Sequence, residues 1–100
     1  MEFQQLDPSY EYDVLASAMY MREVEYFHFA CDVKNFDNIL ATVEPCAYTE
    51  NIAQRREETL ARMKEVDAIY FALKSQILDQ AAFDAAVLRQ KAKRDAAAAK

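Results

Sequence analysis

The sequence predicts an all-α protein: a long antiparallel helical hairpin with a short C-terminal helix. The 100 residues contain no glycine and only two prolines. Hairpin turns and bulges depend on glycine for positive φ, so its absence disfavours a sheet. Apolar residues make up 53% of the chain and charged residues 29%, enough for a packed core. We expect one domain over residues 1–95, with helices at about 8–33, 50–78 and 80–94, and a frayed alanine-rich tail at 96–100.

The first helix is predicted to begin at Asp7 and Pro8, since Asp7 can cap it and proline suits the first helical position. Apolar residues then recur at spacings of three and four in two neighbouring stripes. One stripe contains Tyr10, Val14, Ser17, Met21, Val24, His28 and Cys31, and the other contains Leu15, Met19, Tyr26, Phe29 and Val33. This face is wider than one partner helix covers, so we expect partners on more than one side.

A break or kink is predicted within residues 32–38, because Asn35 and Asp37 favour turns and caps over helix interiors. Pro45 restricts the residue before it to extended conformations, which ends the apolar segment that follows the break. Residues 44–48 are therefore the predicted loop that reverses the chain.

The second helix has the clearest pattern, and Thr49 is its predicted cap. Its apolar residues recur seven apart in two rows, which are Ile52, Thr59, Val66 and Leu73, and Met63, Tyr70 and Ile77. Sevenfold spacing indicates packing along a long partner helix. Asp79 is the predicted cap of the third helix, whose apolar stripe is thin.

Charge is distributed unevenly along the chain. The net charge is −5, made of −8 over residues 1–50 and +3 over residues 51–100. This asymmetry suits an antiparallel hairpin, or a head-to-tail assembly in which acidic and basic faces meet. A net negative chain disfavours direct nucleic-acid binding, which needs clustered Lys and Arg. No apolar stretch approaches 18 residues, so no membrane partner is expected.

The cysteines favour a reduced, cytoplasmic setting. Residues 1–6 lack the basic start and apolar run of a signal peptide. Cys31 and Cys46 form no CxxC motif, and we expect Cys31 to be a small buried apolar side chain.

One constellation could bind metal. Glu25 and His28 have the Glu-x-x-His spacing that ferritin-like di-iron bundles use, and Asp32 lies one turn further along the same face. The chain has one histidine, so a second Glu-x-x-His is missing and a symmetric partner would have to complete the site. A metal-binding bundle holding iron or zinc is therefore an alternative, while the main prediction has no cofactor.

Catalysis is not predicted, and no residue is assigned as catalytic. His28 and Cys31 share a face at i,i+3, but no glycine-rich loop, P-loop or nucleophile elbow accompanies them.

The predicted function is a non-enzymatic interaction or assembly module, of an accessory or phage type, that dimerises into a four-helix bundle and serves an unidentified protein partner. The alternative from the acidic, aromatic first half is an inhibitor that masks a basic, nucleic-acid-binding surface of a partner. The predicted interface residues are Tyr10, Val14, Tyr20, Met21, Val24 and Phe27.

Overall fold

The computed structural model of the chain describes residues 8–99, with side chains from Glu11 onward. It contains three helices, α1 (Pro8–Thr42), α2 (Ala47–Lys74) and α3 (Gln80–Ala98), and no strand within the described residues. The predicted all-α class is confirmed. Asp7, the predicted first cap, lies outside the described residues.

Helix α1 continues to Thr42, so the break predicted within residues 32–38 is wrong. Contacts with α2 support the helix there. The Arg56 Nε donates to Asp37 at 2.6 Å, and the Arg55 guanidinium lies 5.5 Å from the centre of the Phe36 ring. Packing against a neighbouring helix outweighs the low intrinsic helix propensity of Asn and Asp. The predicted reversal around Pro45 is confirmed, since α2 begins at Ala47.

Helix α2 begins earlier than predicted, with Cys46 rather than Thr49 immediately before its first residue. Thr49 instead occupies the third helical position, where it is buried. Its hydroxyl accepts the Cys46 N–H at 2.8 Å, as the third-position side chain does in a capping box. The sequence rule for caps therefore identified a residue that belongs to the capping motif, but one that lies three positions after Cys46.

Helix α2 ends at Lys74, four residues before the predicted end, and α3 is a separate helix. Asp79 caps α3 as predicted, since its carboxylate accepts the Ala82 N–H at 3.1 Å. Helix α3 extends through Ala98 rather than ending near residue 94, in keeping with the high helix propensity of alanine.

The chain forms two compact units. The first unit combines the described parts of residues 1–21 and 72–100, and the second contains residues 22–71.

In the first unit, α1 packs against α3. The buried apolar side chains there are Leu15, Ala16, Met19, Phe83 and Ala86. The Tyr12 ring meets the Phe83 ring edge-on at 6.3 Å, and its hydroxyl accepts the backbone N–H groups of Leu78 (3.1 Å) and Asp79 (3.0 Å). Tyr12 therefore fixes the turn that leads into α3.

Polar contacts set the direction of α3 along α1. The pairs are Asp13 with Arg89 at 2.9 Å, Ser17 with Gln90 at 3.0 Å, and Tyr20 with Arg94 at 3.7 Å from ring centre to guanidinium carbon. Both members of each successive pair lie further along the chain, so the two helices are parallel.

The second unit is an antiparallel hairpin of α1 and α2. Asp37 pairs with Arg56, and Glu23 contacts Tyr70. The members of the predicted sevenfold rows that belong to this unit are all buried or half-buried, namely Ile52, Thr59, Met63, Val66 and Tyr70. The α1 residues that are half-buried alongside them include Phe29, Val33, Phe36 and Leu40.

In this unit, the predicted α1 stripe that contains His28 and Cys31 is more exposed than the stripe that contains Phe29 and Val33. His28 and Cys31 both lie in contact with solvent, so the predicted burial of Cys31 is wrong. One side of α1 is enough for the contact with α2, and Phe29 and Val33 lie on that side.

Candidate interaction surface

Two predicted interface residues of the first unit are exposed on α1. Val14 is 51% exposed and Met21 is 52% exposed, seven residues apart and therefore on one face of the helix. Tyr20 is half-buried, because the Arg94 guanidinium stacks on its ring. Tyr10 belongs to α1, but its side chain lies outside the described residues.

Phe27 is the most exposed aromatic residue that the sequence assigned to the interface. It lies in the second unit and is 67% exposed, and Val24 one turn earlier is half-buried. Among the ring pairs described, Phe27 takes part in one, an edge-to-face arrangement with the neighbouring His28. The two ring centres lie 6.4 Å apart. An exposed phenylalanine beside a second apolar residue is typical of a protein contact surface.

The predicted metal ligands have separate surroundings. Glu25 forms an ion pair with Arg22, whereas His28 and Asp32 are exposed. Within residues 8–99 there is no group of three or more His, Cys, Asp or Glu residues placed to hold a metal ion. A metal site at Glu25 and His28 stays a prediction that depends on donors from a second chain.

A cavity of about 210 Å³ lies between α1 and α2 of the second unit. We call it the tyrosine cavity, and its lining residues are Arg22, Glu23, Tyr26, Val66, Asp67 and Tyr70. Val66 is buried, whereas the carboxylates of Glu23 and Asp67 are exposed. The lining therefore combines an apolar surface with two exposed carboxylates and one guanidinium, that of Arg22.

Tyr70 joins the two helices at this cavity. Its hydroxyl donates to the Glu23 carboxylate, and burial together with that negative charge raises the pKa of Tyr70 above its ordinary value. A tyrosine hydroxyl is already protonated at neutral pH, and this shift extends the protonated range to higher pH.

Arg22 is the one cation in the cavity lining. Its guanidinium is paired with Glu25, which balances its charge. Its Nε lies buried without a hydrogen-bond partner among the described residues.

Cys46 lies immediately before α2, and the pKa of its thiol is lowered. Hydrogen bonding from the Thr49 backbone is the main cause that lowers the pKa of Cys46, with the Tyr48 backbone and the Thr49 side chain contributing, against an opposing effect of burial. Cys46 is exposed and free, so solvent reagents can reach it.

Sequence reasoning did not find the tyrosine cavity or the role of Cys46. Tyr70 and Val66 were recognised as members of inward rows, but the contact of Tyr70 with Glu23 required the register between α1 and α2. The Thr at the third position after Cys46 was an available signal for a capping motif.

Comparisons with protein-family models, with curated proteins and with solved structures gave no match. None of the helices, as far as the chain is described, has the length and apolarity needed to cross a membrane.

Proposed function

We propose that this chain is a small non-enzymatic interaction module that self-associates through apolar side chains of α1. The observation that supports this function is the exposure of apolar side chains of α1 in each unit, Val14 and Met21 in the first and Phe27 in the second. Fully burying one side chain of this size contributes about 1.5–3 kcal/mol, so three of them supply a substantial driving force for association.

The surroundings of His28 and Cys31 do not favour an enzymatic role. His28 and Cys31 lie exposed on α1, where water competes for any hydrogen bond between them. We therefore assign the chain to assembly, with a second copy of itself as the partner of α1 and an accessory role in a larger complex.

The test is the solution mass of matched variants. Phe27→Glu and Met21→Glu place a charge in the proposed interface, and we expect both to convert a dimer to a monomer while helical circular dichroism is retained. Leu88→Glu is the control, because Leu88 lies on α3 and is 68% exposed, nearly the same as Phe27. Sedimentation velocity and native mass spectrometry measure the result.

Two outcomes would contradict the proposal. One is a wild-type chain that stays monomeric at high protein concentration. The other is a dimer that persists in both α1 variants. If Leu88→Glu alone dissociates the dimer, the interface lies on α3 instead.

A further inference from the structure

We propose that the tyrosine cavity receives a lysine or arginine side chain of a partner protein. This site lies within the second unit and does not depend on self-association through α1. The occupant follows from the charge, the aromatic content and the size of the cavity.

The charge of the lining is negative. Glu25 balances Arg22, and among the described residues neither Glu23 nor Asp67 has an ion-pair partner. Two carboxylates of the lining therefore remain without a cation. Phosphate and other anions are disfavoured at such a site, whereas an ammonium or guanidinium group is attracted.

The aromatic and apolar groups suit the rest of a basic side chain. Tyr26 and Tyr70 both line the cavity, and the face of a tyrosine ring attracts a cation through its quadrupole. Val66 provides an apolar surface for the methylene groups of lysine or arginine, which bury their stems while their charged heads stay near water.

The size of the cavity limits the ligand to one side chain. Its volume of about 210 Å³ is below the range of about 300–1,000 Å³ that is usual for drug-sized ligands. A neighbouring cavity of about 440 Å³ shares Tyr26 and Asp67 with it. The other residues lining that neighbour are Glu57, Leu60, Ala61, Met63 and Lys64. A peptide with an apolar residue close to its basic residue could occupy both.

A different protein fits this site better than a second copy of the chain. Two of the basic residues near the C-terminus are already engaged, Arg89 with Asp13 and Arg94 with Tyr20. A second copy also carries a net charge of −5, so a partner protein of net positive charge is attracted more strongly to the carboxylates of the cavity.

The experiment is an NMR titration of the full chain with N-acetyl-arginine amide and N-acetyl-lysine amide at low ionic strength. We expect saturable shifts at the Tyr26 and Tyr70 rings and the Val66 methyl groups, with millimolar affinity. N-acetyl-norleucine amide is the uncharged probe of similar length, and it should bind more weakly by about tenfold, as loss of a cation–π contact and an ion pair implies.

Two variants locate the effect. Asp67→Asn removes one of the two exposed carboxylate charges and should weaken binding by about threefold, the size of one exposed ion pair. Tyr26→Leu keeps an apolar side chain, loses the ring and should weaken binding as well. Asp84→Asn is the control, since Asp84 is an exposed carboxylate of α3 in the other unit.

The proposal is overturned if norleucine amide binds as well as the cationic probes, or if the shifts fall elsewhere. It is also overturned if Asp67→Asn and Tyr26→Leu both retain wild-type affinity with native spectra. Neither result would affect the dimer test, because sedimentation of Phe27→Glu is measured without a ligand.

Discussion

Cys46 shows how a single cap position can change side-chain chemistry. The backbone N–H groups of Thr49 and Tyr48 lie in the first turn of α2, where they have no helical acceptor. They hydrogen-bond to Cys46 instead, and this lowers the pKa of its thiol. Cys31 is equally open to solvent but lies in the interior of α1, where N–H groups bond within the helix.

We predict that iodoacetamide modifies Cys46 faster than Cys31 near neutral pH. A lower pKa increases the thiolate fraction about tenfold per unit and reduces intrinsic nucleophilicity by about threefold, so a net gain of about threefold per unit remains. The advantage should shrink as pH rises, because the thiolate fraction of Cys46 approaches its maximum. Mass spectrometry of partially labelled protein gives both rates, with Cys31→Ser and Cys46→Ser to identify each site. Equal rates, or faster labelling of Cys31, would show that the cap does not activate the thiol.

Individual residues also mark where sequence reasoning stopped. The inward rows of α2 were predictable, because Ile52 and Val66 belong to one row of sevenfold spacing and Tyr70 to the neighbouring row, a pattern typical of packing along a long partner helix. Tyr12 and Tyr20 belong to neither predicted stripe of α1, and Tyr20 was predicted as an interface residue. They are half-buried because α3 returns along α1 and covers them, a contact between residues some 70 positions apart in sequence.

Helix α3 depends on close approach to α1 more than on a broad apolar stripe. Its buried residues are Phe83 and Ala86, and Ala86 has no exposed surface at all. A small side chain at this position allows the two helix backbones to lie near each other, and polar pairs such as Asp13 with Arg89 then complete the contact.

Enlarging Ala86 should therefore separate α3 from α1. We predict that Ala86→Leu lowers the free energy of unfolding by about 1–3 kcal/mol, the usual effect of overpacking. Ala85→Leu is the matched control, since Ala85 is the exposed neighbour and should change stability by less than about 0.5 kcal/mol. Urea unfolding followed by circular dichroism measures both. Similar losses in the two variants would mean that leucine is unfavourable along α3 for another reason.

The three helices differ in how far their limits could be predicted. The Asp79 cap of α3 follows local rules, because its own side chain and the N–H three residues later suffice. The continuity of α1 through residues 32–38 does not, since Phe36 and Asp37 are supported by Arg55 and Arg56 of another helix. Local propensity describes the isolated segment, and the hairpin supplies the remaining free energy.

Across the whole molecule, the uneven charge acts both within one copy of the chain and between two copies, and added salt distinguishes the two effects. Within the first unit, the basic residues Arg89 and Arg94 already contact Asp13 and Tyr20 of the acidic half. Each copy of the chain still carries a net charge of −5. Two copies that meet through apolar side chains must therefore associate against electrostatic repulsion.

We predict that added sodium chloride strengthens the proposed dimer and weakens binding of cationic probes to the tyrosine cavity. Salt at about 0.1 M shortens the screening length to about 10 Å, which reduces the repulsion between like-charged copies but also the attraction of Asp67 and Glu23 for a cation. Sedimentation equilibrium and NMR titration over the same salt series measure the two responses. A dimer that dissociates as salt rises would indicate that acidic and basic faces of two copies hold it together head to tail, and that Val14, Met21 and Phe27 are not its main contacts.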